Sequence, residues 1–396
     1  MPTIYGLIPL MHYLLLSWDS ASNEAVAALT VSLMIGFPLL FPCDNSLVHQ
    51  AGAFASMILF VLRALEISTF PRNVNSKWSI IDYAEFLATS DNSPLRRLKE
   101  LKATTTELLR KELKLPTPPQ KWKPHIAVAK DRGLVFYTQF LTRLSVTYLC
   151  YAFALAYFEK NTYSPRFGFM SPFDLKGVVD HLMVSVLVYG VLELSNSLAT
   201  LFVAIILQTP FVTIFNHPYL ATSLRDFWSH RWNYMIKETL HHLSFVPTLT
   251  LLKKLDPPRK SSMPSTIHLL SRSPPQHLAI ASMAAFLMSA LLHEYLIFFF
   301  IPNQPLGENT IYFLLQGVLC FLQLQLQKAS ANWSFGAKKE LIPGWVGVIG
   351  CWAFTMLLLC VTCPLFIGPY ARSGLLFDKF VLPVPRGLID FFLGLM

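Results

Sequence analysis

The sequence predicts an all-α fold, a polytopic bundle of transmembrane helices with about eight spans and amphipathic helices at the membrane surface. Three observations carry that prediction. Of 396 residues 53% are hydrophobic and only 14% are charged, where a soluble domain carries about a quarter. The apolar residues fall in long runs and neither alternate nor recur on one helical face. Several runs approach the roughly 20 residues needed to cross about 30 Å of hydrocarbon at helical rise.

Taken in order, the shorter candidates come first: Ile4 to Trp18, Ala25 to Phe41 and Ala51 to Ile67. The first has no basic residue ahead of it and no small-residue cleavage site, so it reads as a retained helix and not as a signal peptide. Leu134 to Phe158 and Val179 to Gln208 are clear spans, as are His277 to Ile301 and Trp345 to Gly368, with Ile311 to Gln327 a weaker one between the last two. The whole chain, 1–396, reads as a single membrane-embedded domain.

The net charge of +9 is concentrated in loops. Residues 71–132 hold 13 Lys or Arg against 7 Asp or Glu, and 208–275 hold 8 against 3. Threading eight helices puts both stretches on one side, together with Lys328, Lys338 and Lys339. The other side receives Lys160, Arg166 and Lys176 and, in the tail, Arg372, Lys379 and Arg386. The positive-inside rule makes the basic side cytosolic, so 71–132 is expected to be a basic cytoplasmic loop; the endoplasmic reticulum is the expected membrane, which charge alone does not specify. The sequon Asn332-Trp333-Ser334 then lies on the cytosolic side and stays unmodified. Excess charge confined to such loops points to a lipid surface, and no nucleic-acid partner is expected. Within the first loop, Pro94 to Leu115 spaces Leu95, Leu98, Leu101, Leu108, Leu109 and Leu113 among Arg96, Arg97, Lys99, Lys102, Arg110 and Lys111. This suits an interfacial helix against anionic head groups, or cations that attract a phosphorylated cosubstrate.

The six cysteines, Cys43, Cys150, Cys320, Cys351, Cys360 and Cys363, sit mostly in apolar runs without metal-ligand spacing. They read as small packing residues, with no disulfide framework.

Polar groups inside hydrocarbon are costly, and each invites a functional reading. His293 lies 16 residues from the start of its span at His277, or about 24 Å at helical rise. His293-Glu294 lacks the second histidine of a zinc-protease motif, since Ile297 stands there, and no companion ligands offer themselves. No metal or bound cofactor is expected. A neutral imidazole suits a general base, while a structural histidine bonded to a neighbouring helix explains the position equally well. Glu294 points about 100° away around the helix and is a candidate for helix packing or for orienting His293. Glu193 is another intramembrane acid, expected to bond a neighbouring helix.

A second segment, Asn216-His217-Pro218-Tyr219 through Asn233, begins just after a span. Pro218 favours a turn, and Thr222 or Ser223 can cap a helix starting near Arg225. On that helix Asp226, His230 and Asn233 fall on one face, with Trp228 and Trp232 together on another. The tryptophans fit an interfacial anchor as well as a site wall.

Ser223-Leu224-Arg225-Asp226-Phe227-Trp228-Ser229-His230-Arg231-Trp232-Asn233, followed sixty residues later by His293-Glu294 in an apolar helix, resembles the wax synthase-like branch of the membrane-bound O-acyltransferases. The resemblance covers residues 208–301, the expected catalytic core. It implies that His293, matching the family's intramembrane histidine, promotes attack of an acceptor hydroxyl on an acyl-CoA thioester. It implies that Asn233, the polar residue of the aromatic-rich motif, orients substrate or steadies developing charge. Asp226, Phe227, Trp228, Arg231, Trp232 and Glu294 would shape the site or bind substrate. A thioester is already activated, so no serine or cysteine nucleophile is required.

The expected partners are acyl-CoA as cosubstrate, a lipophilic alcohol and the lipid bilayer. Relatives in this branch make wax esters from fatty alcohols, and fungal ones acetylate terpenoids and other secondary metabolites. The look of the chain leans towards transfer of an acetyl or longer group to a secondary-metabolite alcohol, with a long-chain wax-ester synthase as the alternative. A transporter is the rival of another class, although the two halves show neither internal repeats nor paired broken helices.

Overall fold

The computed structural model describes residues 134–163, 175–207, 214–255, 273–301, 303–334, 344–374 and 382–396, with isolated positions between 12 and 83. In chain order the helices are α1 (Leu134–Lys160), α2 (Leu175–Leu207), the short α3 (Leu224–Asp226), α4 (Tyr234–Leu240) and α5 (Val246–Leu255), then α6 (Pro275–Phe300), α7 (Glu308–Ser334), α8 (Gly344–Arg372) and α9 (Arg386–Leu395). No strand occurs among the described residues. Hydrocarbon offers no water to backbone amides, so a spanning segment closes its hydrogen bonds on itself. Among the described residues α1, α2, α6, α7 and α8 are long and apolar enough to cross a membrane. They coincide with the four clear spans and one weaker span read from the sequence. The three N-terminal candidates and the Pro94 to Leu115 segment lie almost wholly outside the described residues.

The chain divides into two compact units. The first comprises Met1–Phe37, Leu59–Thr147 and Leu192–Ile214. There Glu193 receives Arg143 from the neighbouring helix at 2.8 Å, the expected helix-to-helix bond, which neutralises a fully buried acid. Phe140 is buried against Leu144 and Leu201 beside it.

The second unit comprises Pro38–Ile58, Tyr148–Val191 and Phe215–Met396. In it α1 and α2 touch where Gly190 leaves room: a Cβ there would stand 2.9 Å from that of Tyr151. The α6–α7 hairpin turns through Asn303 and Gly307, both at positive φ, and Gly307 at φ 106° occupies a conformation that favours glycine. The two helices then approach closely at Gly317, whose missing side chain would meet Met283 Sδ and a Phe286 ring carbon at 3.0 Å. In α8, Pro364 and Pro369 lie within the helix. Proline cannot donate to the carbonyl four residues earlier. Asn309 of α7 replaces that donor for Leu365, giving its side-chain N–H to Leu365 O at 3.2 Å and to Phe366 O at 3.1 Å, while its oxygen accepts from Tyr370 Oη at 3.2 Å. Cys363 is buried against Val184 and Ile367, packed as its apolar setting in the sequence suggests. The C-terminal segment leans on α1: Leu382 N–H donates to Tyr151 Oη at 2.8 Å and Arg386 pairs with Glu159 at 2.9 Å.

Candidate active site

The segment after α2 is built from side-chain caps. Pro218–Leu220 form a single 3₁₀ turn, and Ser223, extended at φ −157°, accepts the Asp226 amide through Oγ at 2.9 Å. The helix that Ser223 starts does not reach Asn233 in one piece. After Asp226 it widens into a π turn over Phe227–Arg231 and stops at Trp232, which is extended at φ −92°, ψ 127°. Asn233 sits in the left-handed region at φ 37°, and its Oδ1 accepts the Ile236 amide at 3.2 Å to open α4. Asparagine tolerates that conformation and caps well, so it suits the residue that opens the next helix. The expected shared face is therefore corrected: Asp226 and His230 remain neighbours at 3.6 Å, but Asn233 belongs to the next helix.

Asp226 is the hub of the loop. It accepts from Arg231 Nε at 2.6 Å and from the Thr222 amide at 3.4 Å, while Arg231 Nη1 reaches the carbonyls of Asn216 at 3.4 Å and His217 at 3.3 Å. The carboxylate and guanidinium together tie the start of the segment to its end. Partial burial holds the His230 imidazole below its ordinary pKa; Asp226 opposes this, and Lys237, Arg225 and Arg231 add to it. Burial works against the Glu238 charge, but Lys237 first, then His242 and His241, hold that carboxyl below its ordinary range.

The aromatic residues divide. Trp232 stacks on Phe227 at 5.2 Å and 18° and meets Phe215 at 4.8 Å. Trp228 turns the other way, into the helices, with Phe286, Tyr312 and Phe313 at 6.1, 6.3 and 6.0 Å. It is a wall within the bundle, and the two indoles still lie 6.4 Å apart as expected. The segment is fastened to α7 by two glutamines: Leu224 N–H donates to Gln323 Oε1 at 2.7 Å, and Trp228 Nε1–H donates to Gln316 Oε1 at 3.2 Å.

His293 lies on α6 with Nδ1 2.8 Å from the carbonyl oxygen of Ser289. A carbonyl only accepts, so the proton is on Nδ1 and Nε2 keeps a bare lone pair. The ring rests against Phe313 of α7 at 4.6 Å and Phe366 of α8 at 5.3 Å. Phe313 is thus shared between His293 and Trp228, and through it the two segments meet. No hydrogen bond joins Asn233 to His293 among the described residues. Glu294 Oε1 accepts from Thr310 N at 2.8 Å and Thr310 Oγ1 at 3.2 Å. That caps the first turn of α7, where the helix dipole favours an anion, so Glu294 packs a helix end.

Sequence reading passed over Phe313, Phe366, Gln316, Gln323 and Thr362. The two glutamines left a signal, since amides seven residues apart share one face of a mostly apolar span. The phenylalanines left none, because nothing distinguishes them from lipid-facing neighbours.

These features define a class: an all-helical membrane protein in which an imidazole with a free ring nitrogen is walled by aromatic rings and a capped, broken segment leans against the same wall. Residues 211–316 match the Membrane bound O-acyl transferase family, a stretch that takes in both segments. Similar proteins include the Probable long-chain-alcohol O-fatty-acyltransferase 1 of Arabidopsis thaliana, 30% identical over 145 residues, which are 36% of this chain and 37% of that one. The Probable long-chain-alcohol O-fatty-acyltransferase 7 of the same plant is 29% identical over 48% of each chain. The Long-chain-alcohol O-fatty-acyltransferase of Simmondsia chinensis is 28% identical over 47% of this chain and 51% of its own. The chain thus spans between 37% and 51% of the length of these relatives.

Proposed function

We propose that the chain is an O-acyltransferase that moves a fatty acyl group from acyl-CoA to the hydroxyl of a long-chain alcohol, giving a wax ester and free CoA. The observation that carries this reading is the position of His293, a base with a bare Nε2, inside the stretch that matches the family. Nε2 takes the hydroxyl proton as the alcohol oxygen attacks the thioester carbonyl. The C–O bond forms, the C–S bond breaks, and the departing thiolate recovers the proton from Nε2. Protons balance, so no relay through Glu294 is needed. The surrounding Trp228, Phe313 and Phe366 exclude water, which would otherwise compete for the thioester. Asn233 spends its oxygen on the α4 cap, so what it can offer a substrate is its side-chain N–H pair, suited to developing negative charge on oxygen.

The acceptor proposed here is the alternative read from the sequence. The relatives are named for long-chain alcohols, and nothing in them supports a terpenoid or other secondary-metabolite acceptor or an acetyl donor. We take the long-chain alcohol as the substrate class. Acyl-CoA would arrive from the cytosol, along the basic loops, with the endoplasmic reticulum as the membrane.

The test is ester formation by purified protein in lipid nanodiscs, offered a labelled long-chain acyl-CoA with a fatty alcohol and, separately, with a terpenoid alcohol. Wax ester from the first is expected. Preference for the terpenoid alcohol, or undiminished ester formation after His293→Ala, would overturn the assignment.

A further inference from the structure

Besides the two segments named so far, the site contains a buried polar bridge. Trp228 Nε1–H donates to Gln316 Oε1 at 3.2 Å, and Gln316 Nε2–H donates to Thr362 Oγ1 at 2.8 Å. Thr362 in turn donates its hydroxyl to Leu358 O at 2.8 Å, within its own helix. The bridge links the broken segment, α7 and α8. Gln316 is fully enclosed and Thr362 is 5% exposed.

The ends of this bridge meet the rings around the imidazole. Trp228 lies against Phe313, the ring that supports His293, and Thr362 is four residues from Phe366, the other ring on His293. One amide therefore joins the broken segment to α7 and α7 to α8, between the two rings that flank His293. Glutamine suits this position because it offers an acceptor to the indole and a donor to the hydroxyl at the same time, and neither methionine nor leucine can do both. A buried polar bridge in an apolar span is costly unless fully satisfied, and here each bond has its partner.

We propose that Gln316 is a positioning residue for acyl transfer, which rests on the reading of His293 as the base: it holds the Trp228 indole so that the wall around His293 is closed in the reactive geometry. Gln316 touches neither the imidazole nor the reacting atoms, and its effect is on kcat. Loss of the bridge lets the indole turn, while acyl-CoA still binds.

The experiment compares Gln316→Met, Trp228→Phe, the double variant and Gln316→Glu in nanodiscs, with thermal stability recorded for each. Gln316→Met is expected to lower kcat about tenfold with KM for acyl-CoA changed less than about twofold. Because both single changes cut the same bond, the double variant should lose about as much as either one, far less than their product. Gln316→Glu as the neutral acid keeps an acceptor oxygen for the indole and an O–H donor for Thr362, and should restore most of kcat. Additive losses, a KM effect alone, or a Gln316→Glu variant that folds but is as slow as Gln316→Met would each overturn the proposal. A second measurement stands apart from turnover. The indole N–H resonance of Trp228, identified by its disappearance in Trp228→Phe, should shift upfield in Gln316→Met and far less in Gln316→Glu. An unshifted resonance refutes the bridge even if Gln316→Met is inactive. A shifted resonance in a chain that forms no ester upholds the bridge and refutes the acyltransferase reading.

Discussion

The two segments that meet at Phe313 are built by opposite means. Around His293 the chain is an unbroken apolar helix, and the one functional group is held by its own backbone four residues back. From Asn216 to Asn233 the chain changes conformation repeatedly, and its shape is fixed by Ser223, Asp226, Arg231 and Asn233 bonding to amides and carbonyls. The first segment gets its rigidity from hydrophobic burial in hydrocarbon, the second from hydrogen bonds. Loss of the imidazole on α6 should therefore cost activity before stability, and changes in the broken segment should cost both.

The largest effect should come from His293→Ala, with turnover reduced about 10²- to 10⁴-fold and the thermal midpoint nearly unchanged; a variant that unfolds instead would break the contrast. Asn233→Ala removes a cap and puts alanine in the left-handed region, which together should cost about 2 kcal/mol of stability as well as activity. Asn233→Asp keeps the capping oxygen and loses the N–H pair. Stability close to the parent with reduced turnover in that variant would separate the cap from the proposed substrate contact. Glu294→Gln keeps an acceptor for Thr310 and forfeits only the charge at the α7 terminus, about 0.3–1 kcal/mol; a loss of turnover comparable with His293→Ala would show that the carboxylate does more than hold a helix end. Acid should act weakly, through His230 in the broken segment and Glu238 on α4. His230 titrates lower in the fold than its ordinary 6.5, so the unfolded chain takes up its proton first and stability falls as pH drops through that value. Glu238 is held below its ordinary 4.5, so its contribution is complete above 4.5 and lost as pH falls through the folded value. A thermal-midpoint profile should therefore decline below about pH 6.5, and His230→Gln should flatten the upper part of that decline.

What the sequence revealed follows the same contrast. The five described spans were legible because hydropathy and length decide them, and the helix-to-helix bond of Glu193 because a buried acid needs a partner nearby. The cap at Ser223 was legible from its residue type. The break at Trp232 was not: Asp226, His230 and Asn233 have helical spacing, and the π turn that spoils it rests on a long-range choice, Trp228 reaching Gln316 and Phe227 stacking on Trp232. Glu294 could not be decided because its partner, Thr310, comes into range only when the α6–α7 hairpin closes. The proposed substrate class, which the sequence carried as the alternative reading, rests on relatives that share part of the chain.

The carbonyl of Leu365 has a consequence for biogenesis. A helix leaving the translocation channel alone normally carries every backbone bond it needs, yet α8 emerges with acceptors that its two prolines cannot serve, among them the Leu365 carbonyl. Its donor, Asn309, is made earlier and belongs to α7. Insertion of α8 by itself would strand that acceptor in lipid. The two helices should therefore enter the bilayer as a pair, with the ring that will back the imidazole already in place when its partner ring arrives.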